Sequence, residues 1–127
     1  ASDVYKRQTG SLVALQKHRR LTKSSDFNFV KKTGRSWVND NLVLVASKRL
    51  DSKGHTRFGF IASRRVGNAV VRNLVKRRMR EIARSTEVEL GWDLVFIVRN
   101  QGTQVGFGRL EDSMKFLLKK AGICKSC

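Results

Sequence analysis

Eight arginines and lysines crowd into residues 63–84, SRRVGNAVVRNLVKRRMREIAR, against one carboxylate, Glu81, which leaves that stretch at +7. Cations at this density neutralise phosphates and release the counterions condensed on them. Arginine adds a planar fork that bridges phosphate oxygens or stacks on a base. Binding of RNA is therefore the chemistry this segment implies.

No catalytic constellation competes with it. Glu87 and Glu89 share a strand parity but fall at an expected turn, and Asp93 opens a strand, where solvation or a turn contact explains it. Glu111 and Asp112 are expected in the first turn of the last helix, where the helix dipole favours acids. His18 and His55 have no readable nucleophile or carboxylate partner. Cys124 and Cys127 form a C-x-x-C pair without a second pair of ligands, so a loose thiol tail is expected rather than a closed zinc site. Neither catalytic nor metal-ligating residues are assigned to the protein.

Basic character extends over the whole chain, with 27 Lys/Arg against 10 Asp/Glu and a formal charge of +17 in 127 residues. Such a field attracts polyanions at long range and repels copies of the chain, so homo-oligomerisation is not required. No apolar run approaches the ~20 residues that span a bilayer, and no signal segment is visible. The expectation is a cytoplasmic protein without a membrane partner. Hydrophobic residues at 40% support one folded domain rather than disorder.

Residues 1–20 read as a flexible basic arm, with residues 1–10 expected to be partly foreign to the native chain. Residues 21–120 form the domain, and 121–127 a flexible tail. A helix is predicted after Ser24, capped by its hydroxyl, with Phe27 and Val30 on one face and Gly34 leaving it at positive φ. Strands are predicted at 42–46, 57–63 and 92–98, with a further short strand possible at Trp37 and Val38. The clearest helix, 69–84, sets Val71, Leu74, Val75, Met79 and Ile82 on an apolar stripe, opposite Arg72, Asn73, Lys76, Arg77, Arg80 and Arg84. Arg78 points toward the apolar side, its stem either snorkelling past the core or lying at an exposed edge. Asn68 is a candidate N-cap, and Gly67 permits either a sharp turn or close approach of a phosphate. A last helix is predicted over 109–120, with Leu110, Met114 and Leu117 facing inward. Phe27 could be core or stack on an unpaired base; Phe58 and Phe60 are open in the same way.

The ordered segments RLTKSSDFNFV, FGFIASRRVGNAVVRNLVKRRMRE and GWDLVFIVR resemble the bacterial ribonuclease P protein component. The resemblance covers residues 20–120, and VGNAVVRNLVKR carries most of its specificity. It implies an α/β (α+β) two-layer sandwich, ribosomal protein S5 domain 2-like. A mixed four-stranded sheet packs against helices through an unusual left-handed β-α-β crossover. It also implies a protein subunit that binds a catalytic RNA and the single-stranded 5′ leader of precursor tRNA. The RNA holds the active site, and the assembled endoribonuclease hydrolyses a phosphodiester bond to give the mature tRNA 5′ end. Mg2+ is then bound mainly by the catalytic RNA and substrate, and the isolated protein is inactive.

On the same resemblance, Arg64, Arg65, Gly67, Asn68, Arg72, Asn73, Lys76 and Arg77 bind RNA, while Phe27 and Lys31 face the leader. Arg80 joins the RNA-binding set from its place on the basic arc of the helix rather than from the family pattern. Leu74 stands where the pattern has a middle arginine, which favours core packing there over a phosphate contact. Lys31 and Val45 replace frequent aromatics, implying less stacking and more electrostatic contact with the leader. The alternative reading is a structural ribosomal or general RNA-binding protein, and a duplex-DNA module ranks third.

Overall fold

In the computed structural model, residues 19–99 and 107–125 are described. Residues 1–18 of the expected arm, including His18, and Cys127 of the expected tail lie outside them. The elements are α1 (Ser24–Thr33), β1 (Arg35–Val38), β2 (Leu42–Lys48), β3 (Arg57–Ile61), α2 (Ala69–Ser85), β4 (Trp92–Val98) and α3 (Phe107–Lys120). A 3-10 turn, Arg64–Val66, precedes α2.

The four strands form one mixed sheet in the order β1-β2-β4-β3. β1 pairs antiparallel with β2, β2 antiparallel with β4, and β3 parallel with β4. The parallel pair is joined through α2, so this β-α-β unit sets the basic helix beside the edge strand.

Alternation along the strands explains the layering. Leu42, Leu44 and Ala46 of β2 and Leu94, Phe96 and Val98 of β4 face α2 and α3, where they meet Val75, Met79, Ile82, Leu110, Met114 and Leu117. The intervening Val45 and Val95 meet Val30 of α1 and Leu21 on the other face. That second cluster is small, because α1 is short. Phe58 is fully buried, and its ring lies parallel to that of Phe60 at 6.3 Å, which in turn stacks on Phe96 at 6.1 Å. The Phe58 position is thus core, and Phe60 bridges core and surface.

Several local expectations are corrected. Ser24 is the first helical residue rather than the cap; Lys23 occupies the cap position and no side chain bonds there. Gly34 is extended at φ −81, and what it supplies is space: an added Cβ would sit 2.6 Å from Val30 O and 2.8 Å from Ala46 O. Leu74 stays 36% exposed instead of joining the core. α3 starts two residues earlier than expected, so Glu111 lies past its first turn and pairs with Lys115 at 3.2 Å. Arg78 is half-buried, at the edge of the packed face.

The end of the chain is not a loose tail as far as Lys125. Ile123 is buried, Cys124 bridges Val88 antiparallel, and the Glu89 and Lys125 amides donate to Ile123 and Glu87 carbonyls. Cys124 is disulfide-bonded, not a free thiol.

At the other end, the Leu21 amide donates to the Phe58 carbonyl at 2.8 Å and Arg20 forms a parallel bridge to Phe58. Residues 20–21 therefore cover part of the β3 edge, which would otherwise present unpaired backbone groups.

Candidate nucleic-acid interface

α2 begins as its sequence dictates. The Asn68 side chain accepts the Val71 amide at 3.0 Å, satisfying an early helix donor. Gly67 sits at φ 153, where an added Cβ would meet Val71 Cγ1 at 2.9 Å. A side chain there is both strained and crowded, so the glycine is explained by the turn itself. Arg64 and Arg65 are exposed on the 3-10 turn just before it.

Val75, Met79, Ile82 and Ala83 bury one side of α2. This anchoring leaves Asn73, Arg77 and Arg84 exposed and Arg72, Lys76 and Arg80 half-buried. Arg72, Lys76, Arg80 and Arg84 follow one another at four-residue spacing, about 6 Å per step along the axis. Burial lowers the affinity of the Arg80 guanidinium for its proton, and repulsion from Arg20 and Arg77 adds to this. The Nε atoms of Arg72 and Arg20 are buried without a hydrogen-bond partner among the described residues. Cations packed this closely, with no carboxylate paired to them among the described residues, favour a polyanionic ligand.

A cleft of about 150 Å³ opens between α1, β3 and α2, lined by Arg20, Phe27, Gly59, Phe60, Lys76 and Arg80 among others. Phe27 is half-buried, with its ring directly over Gly59, whose hypothetical Cβ would lie 2.4 Å from Phe27 Cε1. The bare glycine lets the Cε1–Cζ edge of the ring approach the strand backbone and form one wall. Lys31 is exposed on the next turn of α1, outside this lining. Val45 is buried beneath α1 and contributes packing alone.

The expected sites therefore separate spatially. Phe27, Lys76 and Arg80 meet in one cleft; Arg64, Arg65, Asn73 and Arg77 form an exposed surface beside it. Arg20 also belongs to the cleft, and only its position in a basic arm could have suggested this from sequence.

A charge network lies next to the cleft, at the start of β3 and the first turn of α1. Arg57 of β3 makes two 2.8 Å hydrogen bonds to the Asp93 carboxylate of β4. Arg49 Nε approaches the same carboxylate at 3.8 Å, and Arg57 Nη1 reaches Asp26 of α1 at 3.9 Å. The hydrogen bonds with Asp93 raise the Arg57 pKa above its ordinary value. Asp93, expected to be solvated or at a turn, instead holds Arg57 of the neighbouring strand, and Arg57 in turn reaches the helix that carries Phe27.

The model of the ribonuclease P family matches residues 15–122. The chain belongs to the ribonuclease P protein family. A ribonuclease P protein component from Clostridium kluyveri is 38% identical over 110 residues, covering 84% of this chain and 96% of that one. The corresponding Dehalococcoides mccartyi component is 39% identical over 104 residues, covering 82% and 85%. Among solved structures, the Staphylococcus aureus ribonuclease P protein superposes with a TM-score of 0.73 at 30% identity, over 83% of this chain and 96% of that one. The Thermotoga maritima ribonuclease P protein gives 0.72 at 31% identity, over 80% and 96%. Family membership places the chain in ribonuclease P and tRNA processing, with the ribonuclease P RNA as its partner; the general RNA-binding alternative is not favoured.

Gly59 provides a local test within this ribonuclease P fold. Gly59→Ala is expected to push the Phe27 ring out of the cleft while costing little stability, because the displaced atoms are a side-chain end. The prediction is reduced discrimination for a precursor carrying a 5′ leader, measured beside a thermal melt. Unaltered leader discrimination would show that the ring position does not matter.

Proposed function

We propose that this protein binds the catalytic RNA through the exposed face of α2 and the single-stranded 5′ leader of precursor tRNA in the cleft beneath it. The observation that carries this reading is the meeting of Phe27 with Arg20, Lys76 and Arg80 in one cleft. An aromatic wall offers a stacking surface for an unpaired base, and the three cations address the phosphates on either side of it. Arg64, Arg65, Asn73 and Arg77 face outward, in position for the larger RNA partner.

The protein contributes binding and positioning, and phosphodiester hydrolysis takes place at the catalytic RNA. Guanidinium and ammonium groups repel a metal cation, so the surface does not suit Mg2+. Among the described residues, no group of three or more His, Cys, Asp or Glu side chains could hold a metal. In this reading Mg2+ belongs to the RNA and substrate, and the isolated protein is expected to be inactive. The assembly operates in the cytoplasm and requires no protein homo-oligomer.

The reading is tested by the affinity of the assembled protein–RNA complex for precursor tRNA with and without its leader. Tighter binding of the leader-bearing form, reduced by Phe27→Leu, is expected. Equal affinity for the two substrates would remove the leader-binding role.

A further inference from the structure

Beyond the C-terminal end of α2 lies a larger basin, about 600 Å³, whose lining includes Arg19, Arg84, Glu87, Leu90 and Lys125. It falls within the size range of small-molecule and nucleotide sites. Five separate pieces of chain build it: the segment before α1, the connection that leads into β3 with His55 and Thr56, the end of α2, the connection to β4 and the docked C-terminal residues. Its cations are distant in sequence, which is why no motif announces them.

Three features suit the basin to a phosphate. Arg19, Arg84 and Lys125 converge on it against one carboxylate, Glu87. Arg19 is held in place, its guanidinium stacked 5.8 Å from the centre of the buried Phe58 ring, and burial lowers its pKa without an ion-pair partner among the described residues. The carbonyl end of α2, which would repel an anion, is partly masked: the Ser85 and Thr86 hydroxyls both donate to the Ile82 carbonyl, at 3.0 and 2.7 Å. Leu90, 53% exposed at the rim, offers an apolar surface to a base or ribose.

The basin also continues the surface already described. Arg84 follows Arg80 by one helical turn, about 6 Å. Arg19 and Arg20 are neighbours in the chain, one lining the basin and the other the cleft.

We propose that this basin binds a ribonucleotide segment of RNA, one phosphate being held by Arg19, Arg84 and Lys125, so that the RNA track extends past the end of α2. The proposal rests on the ribonuclease P reading. The phosphate belongs either to the catalytic RNA or to the precursor, and the chemistry of capture is the same for both.

The test compares the full-length chain with an Arg84→Ala/Lys125→Ala variant and a charge-matched control, Lys119→Ala/Lys120→Ala. All four side chains are exposed, so folding is not at risk. One arm measures association with catalytic RNA alone across a salt series, and the other measures precursor binding to the assembled complex. The basin variant is expected to lower the log–log salt slope by about one unit in one arm, beyond the control, as for one lost phosphate contact. A loss in the first arm assigns the phosphate to the catalytic RNA, and a loss in the second assigns it to the precursor. Basin and control variants that match in both arms overturn the proposal and leave the subunit reading intact. A wild-type chain that fails to bind catalytic RNA at all overturns both.

Discussion

Replacing Arg72 and Lys76 together with Ala is expected to weaken binding of leader-bearing precursor tRNA to the assembled protein–RNA complex by on the order of 100-fold at moderate salt. Each is a cation presented to phosphate, and hydrogen bonds to charged groups contribute roughly 1.5–3 kcal/mol apiece. Both are half-buried on the polar side of α2, away from Val75, Met79 and Ile82, which anchor the helix. The fold should persist, so circular dichroism and the melting temperature should change little. The log–log salt slope should become shallower by about 1.5–2, as two phosphate contacts disappear. An unchanged slope in the folded double variant would mean that neither residue meets a phosphate.

Asp93→Ala is expected to destabilise the protein by about 3 kcal/mol, the low end of the cost of breaking a buried ion pair. The substitution removes both acceptors of the Arg57 fork and leaves that arginine, with Arg49 nearby, short of counter-charge at the end of the sheet. Arg57 keeps Asp26 at 3.9 Å and partial access to water, with 26% of its side chain exposed. These limit the loss to the low end. Chemical denaturation checks the magnitude. A double-mutant cycle with Arg57→Ala should show the two changes costing much less together than their sum. Strict additivity would mean that the geometry contributes no coupling. Because Arg57 also reaches Asp26 in the first turn of α1, leader binding should weaken together with stability.

These two predictions differ in how far the sequence reveals them. The α2 cations are legible because helical spacing separates them from Val75, Met79 and Ile82 within a single segment, and Asn68 marks where that segment starts. The inner strands are legible for a similar reason: β2 and β4 are apolar on both faces, as buried strands must be. Asp93 is not legible, because its partner Arg57 lies 36 residues away and becomes adjacent only through parallel pairing of β3 with β4. Local reasoning also misassigned Ser24, which lies one residue inside the helix it was expected to cap. A glycine just past a helix suggests a conformational requirement, whereas the role of Gly34 is to admit close backbone approach from β2. Leu74 looked like a core residue on helical period, but the apolar surface available to α2 ends before reaching it. The cleft was half visible: Phe27 and Lys76 were identifiable, while Gly59 and Arg20 acquire meaning only when α1 lies across the edge of the sheet. The basin at Arg19, Arg84 and Lys125 was invisible for the same reason, since it is made by tertiary contacts between remote segments.

The central claim is that the protein enables an RNA-centred reaction rather than performing it. Its most direct test is precursor-tRNA cleavage at limiting Mg2+ with catalytic RNA alone, protein alone, and the two combined. The account predicts correct 5′ maturation stimulated strongly by the combination and no cleavage by the protein alone. Site-specific cleavage by the protein alone, or no stimulation of active RNA by folded protein, would contradict it.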